Sequence, residues 1–206
     1  MFIRFGPVDF FGTKDTIQKK TRGWVCGPGL SHCREGFFVS HCDGVQAMSE
    51  RFVFRSYERR DLEAMVELDA VCFAPPFRFS KVVMQRFAES ANAWVRVIER
   101  EGVLAGFCIV HRERAELGNM GYVVTIDVAE QYRGQGLGER MLSEGETWVR
   151  GWKGAGMLLH VFTKNDGAVR FYERMQYRRV GVQIGFYGPD LDAAMYWKEF
   201  ADTQPD

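Results

Sequence analysis

The 206-residue chain has no excess of either charge. Its 27 Lys and Arg stand against 27 Asp and Glu, and its pI is near 6.9. That balance excludes recognition of nucleic acid or an anionic membrane by net charge, although a local groove of either sign stays open. No apolar run approaches the ~20 residues that span a bilayer. The stretch Met1–Gly12 lacks an apolar core and a small-residue cleavage site, so no secretory signal is expected and a cytoplasmic location is the default. Cysteine is scarce and odd in number: Cys26, Cys33, Cys42, Cys72 and Cys108, the last two in apolar runs. A disulfide framework is therefore not expected. Two nucleotide signatures are missing as well, the G-x-G-x-x-G dinucleotide turn and the Gly-Lys-Ser/Thr phosphate loop.

What is present is 46% apolar residues, enough for one domain with a real core. The chain changes character near Met48. Before it, Gly, charge, aromatics and Cys mix without period. After it, periodic segments follow one another with short breaks. Residues 1–47 are accordingly expected to be an extension outside the domain, disordered or upstream of the true start at Met48, with the domain at 48–206. Ser31-His32-Cys33 and Ser40-His41-Cys42, with Cys26 upstream, hold zinc-type ligands, but their spacing matches no standard zinc pattern and no metal is expected. From Phe52 on, the pattern predicts strands at 52–55, 94–99, 103–111, 122–128, 157–162, 177–185 and 193–200. Helices are predicted at 61–72, 80–90, 136–152 and 167–175. On strand 122–128, Tyr122, Val124, Ile126 and Val128 are predicted to share a face. The order implies an α/β (α+β) mixed sheet with helices on both faces.

The most informative segment is Ile126-Asp127-Val128-Ala129-Glu130-Gln131-Tyr132-Arg133-Gly134-Gln135-Gly136-Leu137-Gly138. It is a strand, then a Gly-rich turn that opens a long helix. Glycines let a ligand approach the backbone, and free N–H groups at a helix N-terminus favour an anion such as pyrophosphate. Arg133 adds positive charge. An ordinary Gly-rich connection is the bland reading.

Arg133-x-x-Gly136-x-Gly138 resembles the acyl-CoA pyrophosphate signature of the GNAT N-acetyltransferases. Downstream, Asn165-x-x-Ala168-x-x-Phe171-Tyr172-x-x-x-Gln176-Tyr177 resembles their second signature, with Gln176 where Gly is usual. The resemblance runs from about Phe52 to Phe200. It is nearest to the ribosomal-protein alanine and protein N-terminal (N-α) acetyltransferases. It implies a mostly antiparallel, twisted sheet of about seven strands, splayed between strands 4 and 5 and flanked by about four helices. It further implies acetyl-CoA as co-substrate. Ile126, Asp127 and Val128 would lie along the pantetheine arm, Gly134, Gln135, Gly136, Leu137, Gly138 and Glu139 about the pyrophosphate, and Asn165 against the cofactor arm.

Acyl transfer to an amine needs a proton acceptor for the ammonium, stabilisation of the oxyanion and a donor to the leaving thiolate. Tyr172 falls where similar enzymes have that donor; the alternative is a core Tyr beside Phe171. His160 falls where the bacterial relatives carry a Glu base and one eukaryotic N-terminal enzyme carries His. Imidazole suits a base near neutrality, although a lone His in an apolar strand is more often structural. Tyr122 matches the Tyr that partners that His, or it is simple sheet packing. Asp127 is the runner-up base.

Phe73-Ala74-Pro75-Pro76-Phe77 stands where such enzymes have a shorter Phe-Pro loop walling the first-residue pocket. Phe186-Tyr187 resembles their peptide-gripping aromatic hairpin. Phe73, Pro75, Phe77, Phe186 and Tyr187 are thus the expected acceptor contacts. The implied reaction is direct attack in a ternary complex by the α-amine of a protein or peptide. A small amine such as a polyamine, amino acid or aminoglycoside, or a non-catalytic acyl-CoA-binding module, are the alternatives. Monomer and homodimer are both left open, and no nucleic acid, membrane or metal enters the chemistry.

Overall fold

The computed structural model describes residues 52–115 and 118–200. Residues 1–47, with the Met48 boundary and the Cys26–Cys42 metal alternative, lie outside the described residues. Seven strands form one sheet: β1 (Val53–Ser56), β2 (Ala93–Arg100), β3 (Val103–Ala115), β4 (Gly118–Val128), β5 (Gly156–Phe162), β6 (Arg178–Gln183) and β7 (Ala193–Glu199). Their spatial order is β1-β2-β3-β4-β5-β7-β6. All neighbours are antiparallel except β4 and β5. The helices are α1 (Leu62–Cys72), α2 (Lys81–Ala88), α3 (Leu137–Gly151) and α4 (Asp166–Arg174). This is the predicted order of elements, with ends moved by a residue or a few.

Local chemistry explains the boundaries. The Asp61 carboxylate accepts the Glu58 N–H (2.8 Å) and both arms of the Arg55 guanidinium (2.7 Å each), which anchors the entry to α1 to the β1 edge. Ser80 caps α2 by accepting the Val83 N–H. Glu101 and Gly102, with φ 54° and 78°, make the left-handed two-residue turn that a tight β2–β3 hairpin requires. Gln176 has φ 67° just past α4, so the residue that replaces the usual Gly carries the strained left-handed backbone expected of it.

The sheet divides the core in two. Leu62, Met65 and Leu68 of α1 and Met84 of α2 pack with Phe107, Tyr122 and Val124 on one face. Met141, Leu142 and Val149 of α3 and Ala168, Phe171 and Tyr172 of α4 pack with Val123, Ile126, Leu159 and Val161 on the other. The single face predicted for Tyr122, Val124, Ile126 and Val128 is therefore wrong. Ile109 pairs with Thr125 and Val110 with Val123, so Val124 is an extra residue in β4. Such a bulge reverses the alternation. It sends Tyr122 and Val124 toward α1, and Ile126 and Val128 toward α3.

The parallel contact is short. Gly121 pairs with Met157 and Tyr122 with Leu158, and no further pair follows among the described residues. Gly121 permits this close approach: a Cβ there would meet Val149 Cγ2 at 2.5 Å and Met157 Cγ at 2.8 Å. Beyond Tyr122 the strands part.

Under α3 lies a buried ion pair. Lys198 Nζ donates to both Glu146 oxygens (2.8 and 2.7 Å), and the Tyr177 hydroxyl donates to Glu146 Oε1 (3.1 Å). Removing the cation strands a carboxylate that is 7% exposed. Lys198→Ala is expected to cost about 3 kcal/mol, measured as a lower denaturation midpoint at unchanged m-value.

Candidate active site

Where β4 leaves β5, the chain builds the Gly-rich turn. Glu130–Tyr132 forms one 3-10 turn, and α3 then begins with Gly136 as its N-cap. Gly134 (φ 74°) and Gly136 (φ 76°) are both left-handed, and no side chain or backbone lies within 4 Å of where a Cβ would stand on either. The first N–H groups of α3 have no intrahelical acceptor. This open, donor-lined concavity at a 15-residue helix fits a pyrophosphate. Gly138 faces Phe171, so its small size serves the α3–α4 contact. Leu137 is buried beneath the turn, while Glu139 is exposed at its rim.

Arg133 does not simply project toward that concavity. Its Nε donates to Val128 O at 3.0 Å, and one terminal nitrogen lies 3.7 Å from Cys72 Sγ. Part of its hydrogen bonding ties the turn to the end of β4. The Asn165 side chain caps α4 by accepting the Ala168 N–H (3.1 Å), which accounts for the N-x-x-A spacing. Asp127 is fully buried and accepts the Thr125 hydroxyl at 2.6 Å, on the face opposite Ile126.

Gly136→Val would fill the open approach with a branched side chain at a left-handed φ. Acetyl-CoA binding is expected to fall by more than 100-fold, measured by calorimetry, with folding checked by circular dichroism because the strain itself costs roughly 1–2 kcal/mol.

Tyr172 sits on α4 between the core and the parting strands. Its side chain is fully buried, and among the described residues its hydroxyl has no hydrogen-bond partner. Burial pushes the phenol well above its usual range, so it stays protonated. A buried O–H without a partner is costly, on the order of 1–3 kcal/mol, and its retention fits a donor kept for an atom that arrives with substrate.

The other face holds a second polar group. The Tyr122 hydroxyl lies 2.8 Å from His160 Nδ1, and Gln183 Oε1 lies 3.1 Å from His160 Nε2. Phe186 stacks on the imidazole, with centroids 4.3 Å apart and planes 7° off parallel. Burial holds the His160 pKa down to about 4, partly offset by Gln183. Burial also pushes the Tyr122 phenol far up. At neutral pH the pair is thus an uncharged imidazole and an uncharged phenol.

Beside it opens a cavity of about 310 Å³, bounded by Cys72, Phe73, Phe77, Phe162, Asn165 and Tyr187, with Lys164 at its rim. The rings of Phe77 and Tyr187 are 5.2 Å apart and those of Phe77 and Phe162 5.0 Å. Four of the five expected acceptor contacts converge here or on His160. Pro75 does not: it is exposed and absent from the cavity wall, because the turn that closes at Phe77 N–H to Ala74 O carries it outward. Gln183, Cys72 and Phe162 are not among the expected site residues. Burial holds the Cys72 thiol at about 11, un-ionised at neutral pH.

The chain's similarities agree with this geometry. The model of the acetyltransferase (GNAT) family matches residues 62–177. The chain is 29% identical over 148 residues to the N-alpha-acetyltransferase RimI of Mycobacterium tuberculosis, covering 69% of this chain and 89% of that protein. Among solved structures it resembles Arabidopsis thaliana NAA60 in complex with acetyl-CoA, with TM-score 0.65, 24% identity, and 72% and 98% of the two chains covered. It also resembles the ribosomal-protein-S18-alanine N-acetyltransferase of Escherichia coli, with TM-score 0.63, 19% identity, and 75% and 99% covered.

Proposed function

The chain belongs to the acetyltransferase (GNAT) family and is an acetyl-CoA-dependent N-acetyltransferase, and from that premise we propose that its acceptor is the α-amine of a protein or peptide N-terminus. The observation that carries the proposal is the neutral Tyr122–His160 pair set beside an aromatic cavity whose wall holds no carboxylate.

Acetyl-CoA supplies the thioester. Gly134 to Glu139 receive its pyrophosphate, the stretch Ile126–Val128, held by β3 where β5 has parted from it, runs along its arm, and Asn165 stands at the cavity end. The rings of Phe73, Phe77 and Tyr187 enclose the first acceptor residue, and Phe186 keeps water from His160. Tyr122 and His160 take the proton from nitrogen as the N–C bond forms, when that nitrogen has become strongly acidic. Tyr172 donates to the departing sulfur.

Base strength favours the α-amine. An α-amine of pKa about 7.8 is roughly one-tenth neutral at pH 7, whereas a lysine-like amine of pKa about 10.4 is neutral in about one molecule in two thousand. An imidazole held at about 4 suits the first and serves the second poorly. Polyamines are disfavoured again by Lys164 and by the carboxylate-free wall. A cytoplasmic location goes with the proposal and suits the free thiols of Cys72 and Cys108. Among the described residues no helix is long and apolar enough to cross a membrane.

The test is CoA-thiol release from acetyl-CoA with peptides whose N-termini are free or blocked, and with polyamines alongside. Turnover confined to free N-termini is expected. Turnover with polyamines alone would overturn the acceptor assignment.

A further inference from the structure

Gln183 belongs to no signature, yet it ends against His160. It lies on β6, two strands from β5, and pairs with Ala193 of β7, which in turn pairs with Phe162. The small side chain of Ala193 leaves a path across β7 for the long amide. Gln183 Oε1 can only accept, so at 3.1 Å from Nε2 it requires the ring proton to sit on Nε2. Nδ1 is then a lone pair, 2.8 Å from the Tyr122 hydroxyl, which must donate to it. Stacking of Phe186 keeps the ring in that plane.

We propose that Gln183 is the positioning residue that fixes the His160 tautomer, so that Nδ1 always faces Tyr122 as proton acceptor. The proposal rests on the reading of Tyr122 and His160 as the proton path. In the transfer, the Tyr122 oxygen takes one proton from the substrate nitrogen, directly or through a water, as its own proton passes to Nδ1. The resulting imidazolium donates from Nδ1 back to Tyr122 and from Nε2 to Gln183. One positive charge leaves nitrogen and one appears on the ring, so the step balances. Without Gln183 the neutral ring is free to carry its proton on Nδ1, which closes the path.

Among the described residues, the groups recorded against the ring carry no charge at neutral pH: Tyr122 of β4, Gln183 of β6, Met195 opposite on β7, and Phe186 of the β6–β7 connection. Tyr187 and the more distant Glu113 of β3 act on Tyr122. A carboxylate at position 183 would therefore be a new charge beside Nε2.

The experiment is nitrogen-edited NMR of the His160 imidazole in the full chain, with pH profiles of kcat/KM for the wild type, Gln183→Glu and Gln183→Leu. The wild type is expected to carry its proton on Nε2. Gln183→Glu should raise the imidazole titration by ~1–3 pH units and move the acid limb of kcat/KM up with it. Gln183→Leu should lose the single tautomer and lower kcat on the order of tenfold, at unchanged KM for acetyl-CoA. A wild-type ring protonated on Nδ1 would overturn the proposal and close the route through Tyr122, while the His160→Ala profile would still report whether His160 is needed at all. A titration that moves in Gln183→Glu while the acid limb stays put would overturn it through the underlying reading, and a wild-type profile in His160→Ala would report that failure independently.

Discussion

Tyr172→Phe is expected to lower kcat by ~10²–10⁴ and to leave the affinity for acetyl-CoA nearly unchanged, while the protein becomes more stable. The combination is unusual and follows from one atom. The Tyr172 hydroxyl is buried and has no partner among the described residues, so the folded protein carries its desolvation without return. Removing it restores part of ~1–3 kcal/mol, or about 2–4 °C in Tm for each kcal/mol in a chain of this size. The ring itself stays, with its edge-to-face contacts to Phe171 (4.9 Å) and Tyr177 (5.7 Å), so the packing of α4 is preserved. Steady-state kinetics and a thermal melt on the same sample check both halves. Equal losses of turnover and cofactor affinity would mean that the phenol holds the ligand rather than its leaving group.

His160→Ala is expected to remove ~10²–10⁴ of kcat at neutral pH, and Tyr122→Phe to remove a comparable share. The double variant should be no worse than the poorer single one, since partners in one proton path do not add. The same histidine makes stability depend on acid. Its folded pKa of about 4 lies below the unfolded value of about 6.5. Between those values the unfolded chain binds the extra proton, so stability is whole above 6.5 and falls as pH drops toward 4, by roughly 3 kcal/mol. His160→Ala should flatten that window in denaturant titrations. Additive losses in the double variant would mean that the two residues act separately.

Much of this architecture is legible from the residues. The helices announce themselves through apolar spacing, and the turn through Gly134, Gly136 and Gly138 before a long amphipathic run. Tyr172 and Asn165 fall inside a spaced signature, and the spacing has a cause that can be stated, since Asn165 caps the helix that presents Tyr172. The bulge at Val124 is not legible. In Tyr122-Val123-Val124-Thr125-Ile126 the residues are apolar or β-branched throughout, so alternation has no polar mark to betray an extra residue. Gln183 is hidden for a different reason. Its partner is 23 positions away in sequence and two strands away in space, and only the sheet order brings them together. Arg133 shows the limit of reading charge from a motif, because its guanidinium is partly spent on Val128 O. Pro75 shows that membership of an aromatic loop does not aim a residue inward.

The brief meeting of β4 and β5 has one more consequence. A continuous ladder would fix the distance between the two halves of the sheet by backbone geometry alone. Here the ladder stops after Tyr122 and Leu158. At the closed end the spacing is set by side chains, Val149 and Met157 packing down on Gly121. The distance between the two halves of the sheet is thus a packing variable, set where they meet by the volume of the side chains that close on Gly121.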